Sequence, residues 1–364
     1  MRIPVAIYPY CAELLPIVKY FEKMQEKYVI ARLISPPGLG LGGKDAAYAR
    51  NHPSVGHIVT DEFYADDLSW TILIITRVFQ PNVFNDKKIS SIAVSALAAG
   101  KKVLYFDNHQ KNVPDSIVTL ANDYPDDIIT ITADTQLLNL TIGDGNFKEL
   151  ETPVIIVGGL VAAEDTLEVS LSIADCLQKQ GQKITIISKH NHSKILSRRF
   201  HSLIHIFNNN ELTEVEKIII INSYMKDLEQ SEMPDIIIVE APDSVMRYNN
   251  TIFHDFGIHT YMLCQAMNPD YFVCCIPNDL ADGNFIKAIN KDLSYRLGAA
   301  IGAVHISNII VDSADITHSK KISYVHTNLG LVKNQIKKQS NEMEISFFDV
   351  VKDGADGICA ILFD

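Results

Sequence analysis

The stretch best suited to chemistry runs from residue 153 to 170, where a four-residue apolar run meets two glycines and then a helical pattern. This layout is typical of a P-loop, a strand–loop–helix motif that holds phosphate through backbone N–H groups and a lysine. Gly159 serves as the first glycine of the template G-x-x-x-x-G-K-[ST]. The other three template positions fall on Glu164, Asp165 and Thr166. The first glycine and the final hydroxyl residue are therefore kept, whereas acids replace the second glycine and the lysine.

These acids decide what the loop is expected to do. Two carboxylates in the first turn would satisfy the positive end of the helix from within, and they would repel a triphosphate. We therefore expect a P-loop fold without ordinary ATP hydrolysis. The alternative is a strand–turn–helix corner that has acidic first-turn residues and no ligand. The predicted ligand-binding positions of this loop are Gly158, Gly159, Glu164, Asp165 and Thr166.

A second acidic position follows a later apolar strand, Asp235-Ile-Ile-Ile-Val-Glu240. P-loop proteins place their Walker B carboxylate at the end of such a strand, and ligands bind outside the carboxyl ends of parallel strands. Glu240 has this position, and Asp243 follows closely. His259 could line the same crevice and transfer protons near neutral pH. The catalytic residues stay open, with Glu240, Asp243 and His259 as candidates.

Another possible anion site is a glycine-rich segment after the second predicted strand. Its residues would let the backbone approach an anionic ligand closely. The segment does not match the dinucleotide fingerprint, which belongs after the first strand. A flexible surface loop is the alternative interpretation. The predicted ligand-binding positions here are Gly38, Gly40, Gly42, Gly43 and Lys44.

Metal and hydrolase sites are not expected. His254 and His259 lie five residues apart on a predicted helix, so they diverge by about 140° and do not converge on one ion. The run from Asp312 to His318, with His326 beyond it, has no standard metal spacing and is typical of a turn. No serine lies in a G-x-S-x-G elbow. The six cysteines form no C-x-x-C pair, which indicates reduced thiols.

Composition limits the partners. The chain has 364 residues, 47% hydrophobic and 21% charged, as expected for two folded domains. Its net charge of -12 argues against nucleic acid and is compatible with a cationic peptide. No segment is long and apolar enough for a membrane span, and residues 1–8 are typical of a first strand and not of a secretion signal. We therefore expect a cytoplasmic protein.

The elements that position these residues alternate between apolar strands and amphipathic helices, which indicates βαβ units and parallel sheets. We predict an α/β protein with a Rossmann-like domain over residues 1–134 and a linker over 135–151. A degenerate P-loop NTPase-like domain over 152–364 follows. A cleft between the two domains, lined by the two glycine-containing loops, Glu240 and Asp243, is the predicted site.

Parts of the sequence resemble two known families. Residues 153–170, the strand ending at Glu240, and residues 269–275 are similar to the P-loop half of the D-glutamate N-acetyltransferase-like proteins. Here Ala241-Pro-Asp243 stands where that family has Gly-Gln-Gly, and the loop lysine is missing. Over its whole length, beginning at Val5-Ala-Ile-Tyr-Pro-Tyr10, the chain resembles the clostridial-type peptide maturation system proteins.

The second resemblance implies a component of a maturation system for ribosomally made peptide natural products. Such a component would be a non-hydrolytic accessory protein that binds a precursor peptide or a carrier-like partner protein, and we expect it to form a homo-oligomer. The alternative is an enzyme that transfers an acyl or nucleotidyl group with the ancestral P-loop pocket. The cofactor stays open.

Overall fold

The computed structural model describes residues 2–76, 86–106, 113–131, 147–161, 165–249, 256–319, 322–339 and 345–362. The chain divides into two compact units, the first comprising residues 1–135 with 190–198, and the second 136–189 with 199–364. Among the helices of the described ranges, none combines the length and the apolar character that crossing a bilayer requires.

The first unit is a six-stranded, entirely parallel sheet with the order β3-β2-β1-β4-β5-β6. This is the strand order of the dinucleotide-binding Rossmann fold. The strands are β1 Ile3–Tyr8, β2 Tyr28–Ile34, β3 Val59–Thr60, β4 Ile72–Thr76, β5 Lys102–Phe106 and β6 Ile128–Ile131. The helices are α1 Leu15–Met24, α2 Asp86–Ala98 and α3 Asp115–Asp123. The predicted Rossmann-like layer is therefore confirmed.

The second unit contains a seven-stranded parallel sheet with the order β15-β12-β11-β7-β10-β8-β9 and a small antiparallel pair, β13-β14. The strands are β7 Val154–Gly159, β8 Ile184–Ser188, β9 Phe200–Ser202, β10 Ile236–Glu240, β11 Tyr271–Pro277, β12 Ile301–Ser307, β13 Ile309–Val311, β14 Tyr324–His326 and β15 Ser346–Phe348. The helices are α4 Thr166–Lys179, α5 Ile204–Phe207, α6 Glu214–Glu232, α7 Ile258–Met267, α8 Gly283–Leu297, α9 Ser313–Ser319, α10 Leu329–Gln339, α11 Val350–Asp353 and α12 Asp356–Leu362. The predicted parallel α/β class is confirmed here as well.

Helix α6 shows how local sequence sets an element. Four consecutive isoleucines, residues 218–221, favour a strand, yet the helix forms. Thr213 and Glu216 make a capping box, in which the Thr213 side chain accepts from the Glu216 N–H and the Glu216 side chain accepts from the Thr213 N–H. The isoleucines then supply the face that packs on the core, and Ile220 and Ile221 are both buried.

Two predictions about chain organisation differ from the structure. The sequence of residues 344–363 predicts two strands around a hairpin-like turn at residues 352–357. Strand β15 lies in this region, but α11 and α12 follow it in place of the turn and the second strand. The Asp349 side chain accepts the Lys352 N–H and so starts a helix where a hairpin turn was expected. Residues 190–198, assigned from sequence to the second domain, group with the first unit, where Asn191 donates to the Ile131 carbonyl at 3.3 Å. Of the predicted linker, residues 135–146 lie outside the described ranges.

Candidate functional site

The residue that ends the loop template, Thr166, is the first residue of α4 and is almost fully buried. Its Oγ1 donates a hydrogen bond of 2.8 Å to Oε1 of Glu240. Strand β10, which ends at Glu240, pairs directly with β7, with Glu240 opposite Val157. The loop hydroxyl and the strand-end carboxylate therefore meet at the carboxyl edge of the second sheet.

A cation joins this pair from a neighbouring strand. Lys189 follows β8, which lies on the other side of β10 from β7. Its Nζ lies 3.2 Å from Thr166 Oγ1 and 3.5 Å from Glu240 Oε1. The Lys189 side chain is 23% exposed, whereas the Glu240 side chain is 0% exposed, so the lysine is the more accessible member of the pair. A positive charge thus stands beside the loop although the loop's own lysine is missing.

Sequence reasoning missed Lys189. The available signal was its position, because it is the first residue beyond the carboxyl end of an apolar strand, and ligands bind at that edge. The pattern of a single strand does not show which strands are neighbours, so it could not show that Lys189 would reach Thr166.

Glu240 is held by donors on both oxygens. Besides Thr166, the Ser188 hydroxyl donates to Oε2 at 2.7 Å, and the Lys189 N–H donates to the same oxygen at 3.2 Å. A buried carboxylate requires such compensation because it has lost its hydration. The site is therefore a built polar cluster of Thr166, Ser188, Lys189 and Glu240, named the β10-edge cluster below.

The other acid of the loop template points elsewhere. Asp165 is 0% exposed and occupies the N-cap position of α4, but its side chain makes no capping hydrogen bond. Its Oδ2 accepts a short hydrogen bond from the Ser307 hydroxyl and lies 3.5 Å from His305 Nε2. The expectation that Asp165 satisfies the helix end is therefore wrong, because its carboxylate accepts a hydrogen bond from Ser307 of β12. Glu164 lies outside the described residues.

The two glycines before the loop belong to β7 itself, so the strand extends beyond the predicted apolar run. A Cβ at Gly158 would lie 3.1 Å from the side chains of Phe272 and Val245. The small size of Gly158 therefore serves packing in the sheet. The Gly159 carbonyl accepts the Val245 N–H at 2.9 Å. Ligand contacts by these glycines stay a prediction.

Asp243 and His259 lie at the start of α7. Asp243 accepts the backbone N–H groups of His259 at 3.0 Å and Thr260 at 2.7 Å, so it caps that helix from another segment. The His259 ring packs on Phe207 with a centroid distance of 5.0 Å. The structure thus brings Glu240 to the loop but engages Asp243 in helix capping. The catalytic roles of Asp243 and His259 stay predictions.

The glycine-rich segment of the first unit forms an ordered turn. The Gly43 N–H donates to a carbonyl of β3 at 2.8 Å. The Lys44 ammonium lies 4.1 Å from the ring centroid of Tyr48. A Cβ at Gly42 would lie 2.9 Å from the Asp61 carboxyl carbon. These contacts favour a structural role, whereas the anion-binding role predicted for Gly38, Gly40, Gly42, Gly43 and Lys44 stays untested.

The remaining candidates have local structural explanations. Asp312 Oδ1 accepts the N–H groups of Ala314 at 3.1 Å and Asp315 at 3.0 Å, as expected for a turn that leads into α9. His254 lies outside the described ranges. All six cysteines are buried free thiols. Burial raises the pKa of Cys264 and Cys274 to about 12, which makes these two thiols unreactive.

A small pocket adjoins the β10-edge cluster. Three of its lining residues are Ser188, Lys189 and Glu240, so the polar cluster forms one wall. The other lining side chains are apolar: Ile187, Leu203, Ile204, Phe207, Pro242 and Leu263. A ligand at Lys189 would therefore have an apolar surface beside its charged part.

The donor set of the β10-edge cluster fits a phosphate accompanied by magnesium. In P-loop proteins a threonine hydroxyl and a strand-end carboxylate hold Mg²⁺, while a lysine binds the phosphate oxygens. Thr166, Glu240 and Lys189 provide the same three functional groups within 3.5 Å of one another. Oxygen ligands of this kind are those that Mg²⁺ prefers.

No protein-family profile matches the chain, and no curated protein sequence matches it. Among solved structures, a DUF1611 family protein from Anabaena variabilis is 12% identical, with a TM-score of 0.62, over 100% of this chain and 99% of that one. A GTPase in apo form from Pyrococcus abyssi is 14% identical, with a TM-score of 0.29, over 58% of this chain and 83% of that one. The chain therefore shares the fold of the DUF1611 family protein.

Proposed function

We propose that the second unit binds a phosphate-bearing ligand, a nucleotide or an acyl-CoA, at the β10-edge cluster, and that the chain is an acyl- or nucleotidyl-transfer enzyme. The observation that carries the proposal is the 3.2 Å distance between Lys189 Nζ and Thr166 Oγ1. A lysine that reaches the loop from β8 replaces the charge that the loop sequence lacks. This favours the transferase over the accessory protein without a phosphate ligand.

Each residue has a defined role in this proposal. Lys189 would bind a phosphate oxygen, since its side chain is partly exposed and lines the pocket beside the cluster. The N-terminus of α4, where N–H groups lack partners within the helix, would add further donors. Thr166 and Glu240 would hold Mg²⁺, which neutralises charge on the phosphate oxygens when bound.

The position of Asp165 removes the main objection to phosphate binding. Repulsion of a triphosphate was expected because an acid replaces the loop lysine. The Asp165 carboxylate is instead hydrogen-bonded by Ser307, lies 3.5 Å from His305 Nε2, and is completely buried. Its charge is therefore directed toward β12 and is partly compensated there.

The test is a comparison of Lys189→Met with Lys179→Met. Lys179 lies in the last turn of α4 and pairs with Asp175 at 2.9 Å, so its replacement removes the same charge away from the cluster. Titration calorimetry with ATP, GTP, acetyl-CoA and pyrophosphate, each with Mg²⁺, gives the affinities. A hydrogen-bonded charge contributes about 1.5–3 kcal/mol, so Lys189→Met should weaken binding about tenfold or more.

Lys179→Met should bind as the wild type does. Equal affinity of Lys189→Met and wild type would contradict the assigned role of Lys189. A wild-type protein that binds none of the four ligands at millimolar concentration would exclude the proposal itself.

A second candidate is an accessory protein of a ribosomal peptide maturation system that binds a precursor peptide. It is supported by the family resemblance and by the net charge of -12, which suits a cationic peptide. Six buried free thiols suit a reducing compartment such as the cytoplasm. In this case a cationic peptide should bind with an affinity that falls as salt rises, and a peptide of reversed charge should not bind.

A further inference from the structure

The buried acid Asp165 occupies the place of the P-loop lysine, and nothing in the phosphate-binding role of the cluster explains it. A carboxylate that is 0% exposed has lost its hydration and is costly unless it is well paired. It does not cap the helix that begins at the next residue. Its position therefore depends on contacts with other elements.

These contacts come from the end of β12. The Ser307 hydroxyl donates a short hydrogen bond to Asp165 Oδ2, and His305 Nε2 lies 3.5 Å from the same oxygen. The Val350 N–H donates to His305 Nδ1 at 3.2 Å, so Nδ1 is the acceptor nitrogen. A neutral His305 ring then carries its proton on Nε2, which faces Asp165. The hydrogen bond from Ser307, together with the adjacent His305 ring, which makes no hydrogen bond to Asp165, is called the tether of Asp165 below.

The residue after Asp165 belongs to the β10-edge cluster. Thr166 directly follows Asp165, and its hydroxyl lies between Glu240 at 2.8 Å and Lys189 at 3.2 Å. Asp165 is therefore held by a residue of β12. Its neighbour Thr166 is held on the other side by Glu240 and Lys189. This arrangement fixes both the position and the rotation of the first turn of α4.

We infer that Asp165 is a positioning residue for a magnesium–phosphate ligand, and that its tether to Ser307 and His305 keeps the Thr166 hydroxyl directed at Glu240. The inference rests on the proposed phosphate binding at the cluster. The binding energy then has two parts, one from Lys189 and one from the Thr166–Glu240 pair that Asp165 positions. Lys189 attracts the phosphate directly, whether or not Mg²⁺ is present. Asp165 supports only the part of the affinity that Mg²⁺ adds through Thr166 and Glu240.

The experiment measures pyrophosphate binding by calorimetry, with and without saturating Mg²⁺, in Asp165→Asn, Ser307→Ala, Lys189→Met and wild type. Ser307→Ala removes the hydrogen bond to the charged Asp165, and Asp165→Asn removes the charge itself. Each should reduce the affinity gained from Mg²⁺ about tenfold. Their affinity without Mg²⁺ should change less than about twofold, because Lys189 is intact. Lys189→Met should lose affinity under both conditions.

Ser202→Ala is the matched control, because Ser202 is also a fully buried serine at the end of a strand of the same sheet. A general loss of packing would affect both conditions alike. Ligand-free protein gives a second readout: amide hydrogen exchange in the first turn of α4 should quicken in Asp165→Asn and Ser307→Ala, but not in Ser202→Ala. If Asp165→Asn does not fold, Ser307→Ala carries the test, since it removes a single oxygen.

The outcomes separate the inference from the proposed function. Wild-type protein that gains affinity from Mg²⁺, together with variants that keep the whole gain, would overturn the inference and leave the phosphate site intact. Wild-type protein that binds pyrophosphate equally well without Mg²⁺ would overturn the inference and the magnesium part of the proposed function. Absence of any pyrophosphate, nucleotide or acetyl-CoA binding would remove both.

Discussion

At the scale of single residues, charge is distributed differently from an ordinary P-loop. The cation comes from Lys189, beyond the end of β8, whereas the position of the loop lysine holds the buried Asp165. Each charge has partners where it lies, Glu240 for the lysine and the β12 residues Ser307 and His305 for the acid. Because each charge is paired in its own surroundings, restoring the template residue at one position does not restore a P-loop.

Replacement of Asp165 by lysine tests this statement. A lysine at position 165 would lose the hydrogen bond from Ser307 and bury a positive charge beside His305. An uncompensated buried charge costs about 3–5 kcal/mol, so Asp165→Lys should lower the free energy of unfolding by roughly that amount. Urea unfolding of Asp165→Lys, Asp165→Asn and wild type measures the loss. A fully stable Asp165→Lys protein with increased pyrophosphate affinity would show that the loop has ordinary P-loop geometry.

At the scale of elements, helix α6 is joined to the sheet through its last residue. Glu232 accepts hydrogen bonds from Thr185 of β8 and from His201 Nε2 of β9, the second at 2.8 Å. The other ring nitrogen of His201 lies 2.8 Å from the hydroxyl of Tyr224, which also belongs to α6. Burial alone would raise the pKa of Glu232, but the hydrogen bonds from His201 and Thr185 and the nearby charges of His201 and Arg199 outweigh it. The pKa of this carboxyl is therefore below its usual value of 4.5.

The lowered pKa of Glu232 determines how the stability of the protein changes with pH. Stabilisation by Glu232 is fully present above its unfolded-state pKa and is lost as the pH falls through the lower folded-state pKa. Glu232→Gln should therefore lower the free energy of unfolding by about 1–3 kcal/mol at neutral pH. The difference from wild type should shrink below about pH 4.5. Urea unfolding at both pH values measures it, with Glu211→Gln, an exposed carboxylate, as the control.

A difference between Glu232→Gln and wild type that stays constant from neutral to acidic pH would contradict the role assigned to the Glu232 charge. It would indicate that Glu232 contributes through its uncharged contacts only.

At the scale of the whole molecule, the chain consists of two compact units, each with its own buried core. Every residue of the β10-edge cluster and of the Asp165 tether belongs to the second unit. Units with separate cores can unfold in separate transitions, so the location of a ligand can be read from the transition that it shifts.

Scanning calorimetry with a magnesium–nucleotide should therefore raise the midpoint of one transition. At a ligand concentration a hundredfold above Kd, the stabilisation is about 2.7 kcal/mol. Gly158→Ala identifies the transition of the second unit, because its methyl group would press on Phe272 and Val245 at 3.1 Å. Such overpacking costs about 1–3 kcal/mol. A ligand that raises only the transition left unchanged by Gly158→Ala would place its site in the first unit.

The sequence alone predicted the features that depend on local patterns. Alternating apolar strands and amphipathic helices predicted the α/β class and the parallel sheets, since these patterns reflect which face of each element is buried. The spacing of the loop template made Thr166 a candidate site residue. The position of Glu240 at the end of an apolar strand made it another. Their partnership follows from a general rule, because the carboxyl ends of parallel strands share one edge of the sheet.

Only the tertiary structure decided which charges meet at that edge. Lys189 contacts Thr166 across 23 residues, and Ser307 contacts Asp165 across 142. These contacts depend on strand order, which places β8 beside β10 and orders β7, β11 and β12 on the other side. Strand order is set by packing of the whole sheet, so it cannot be inferred from the sequence of any one strand. The sequence therefore indicated a loop without a cation, whereas the folded chain brings one to it.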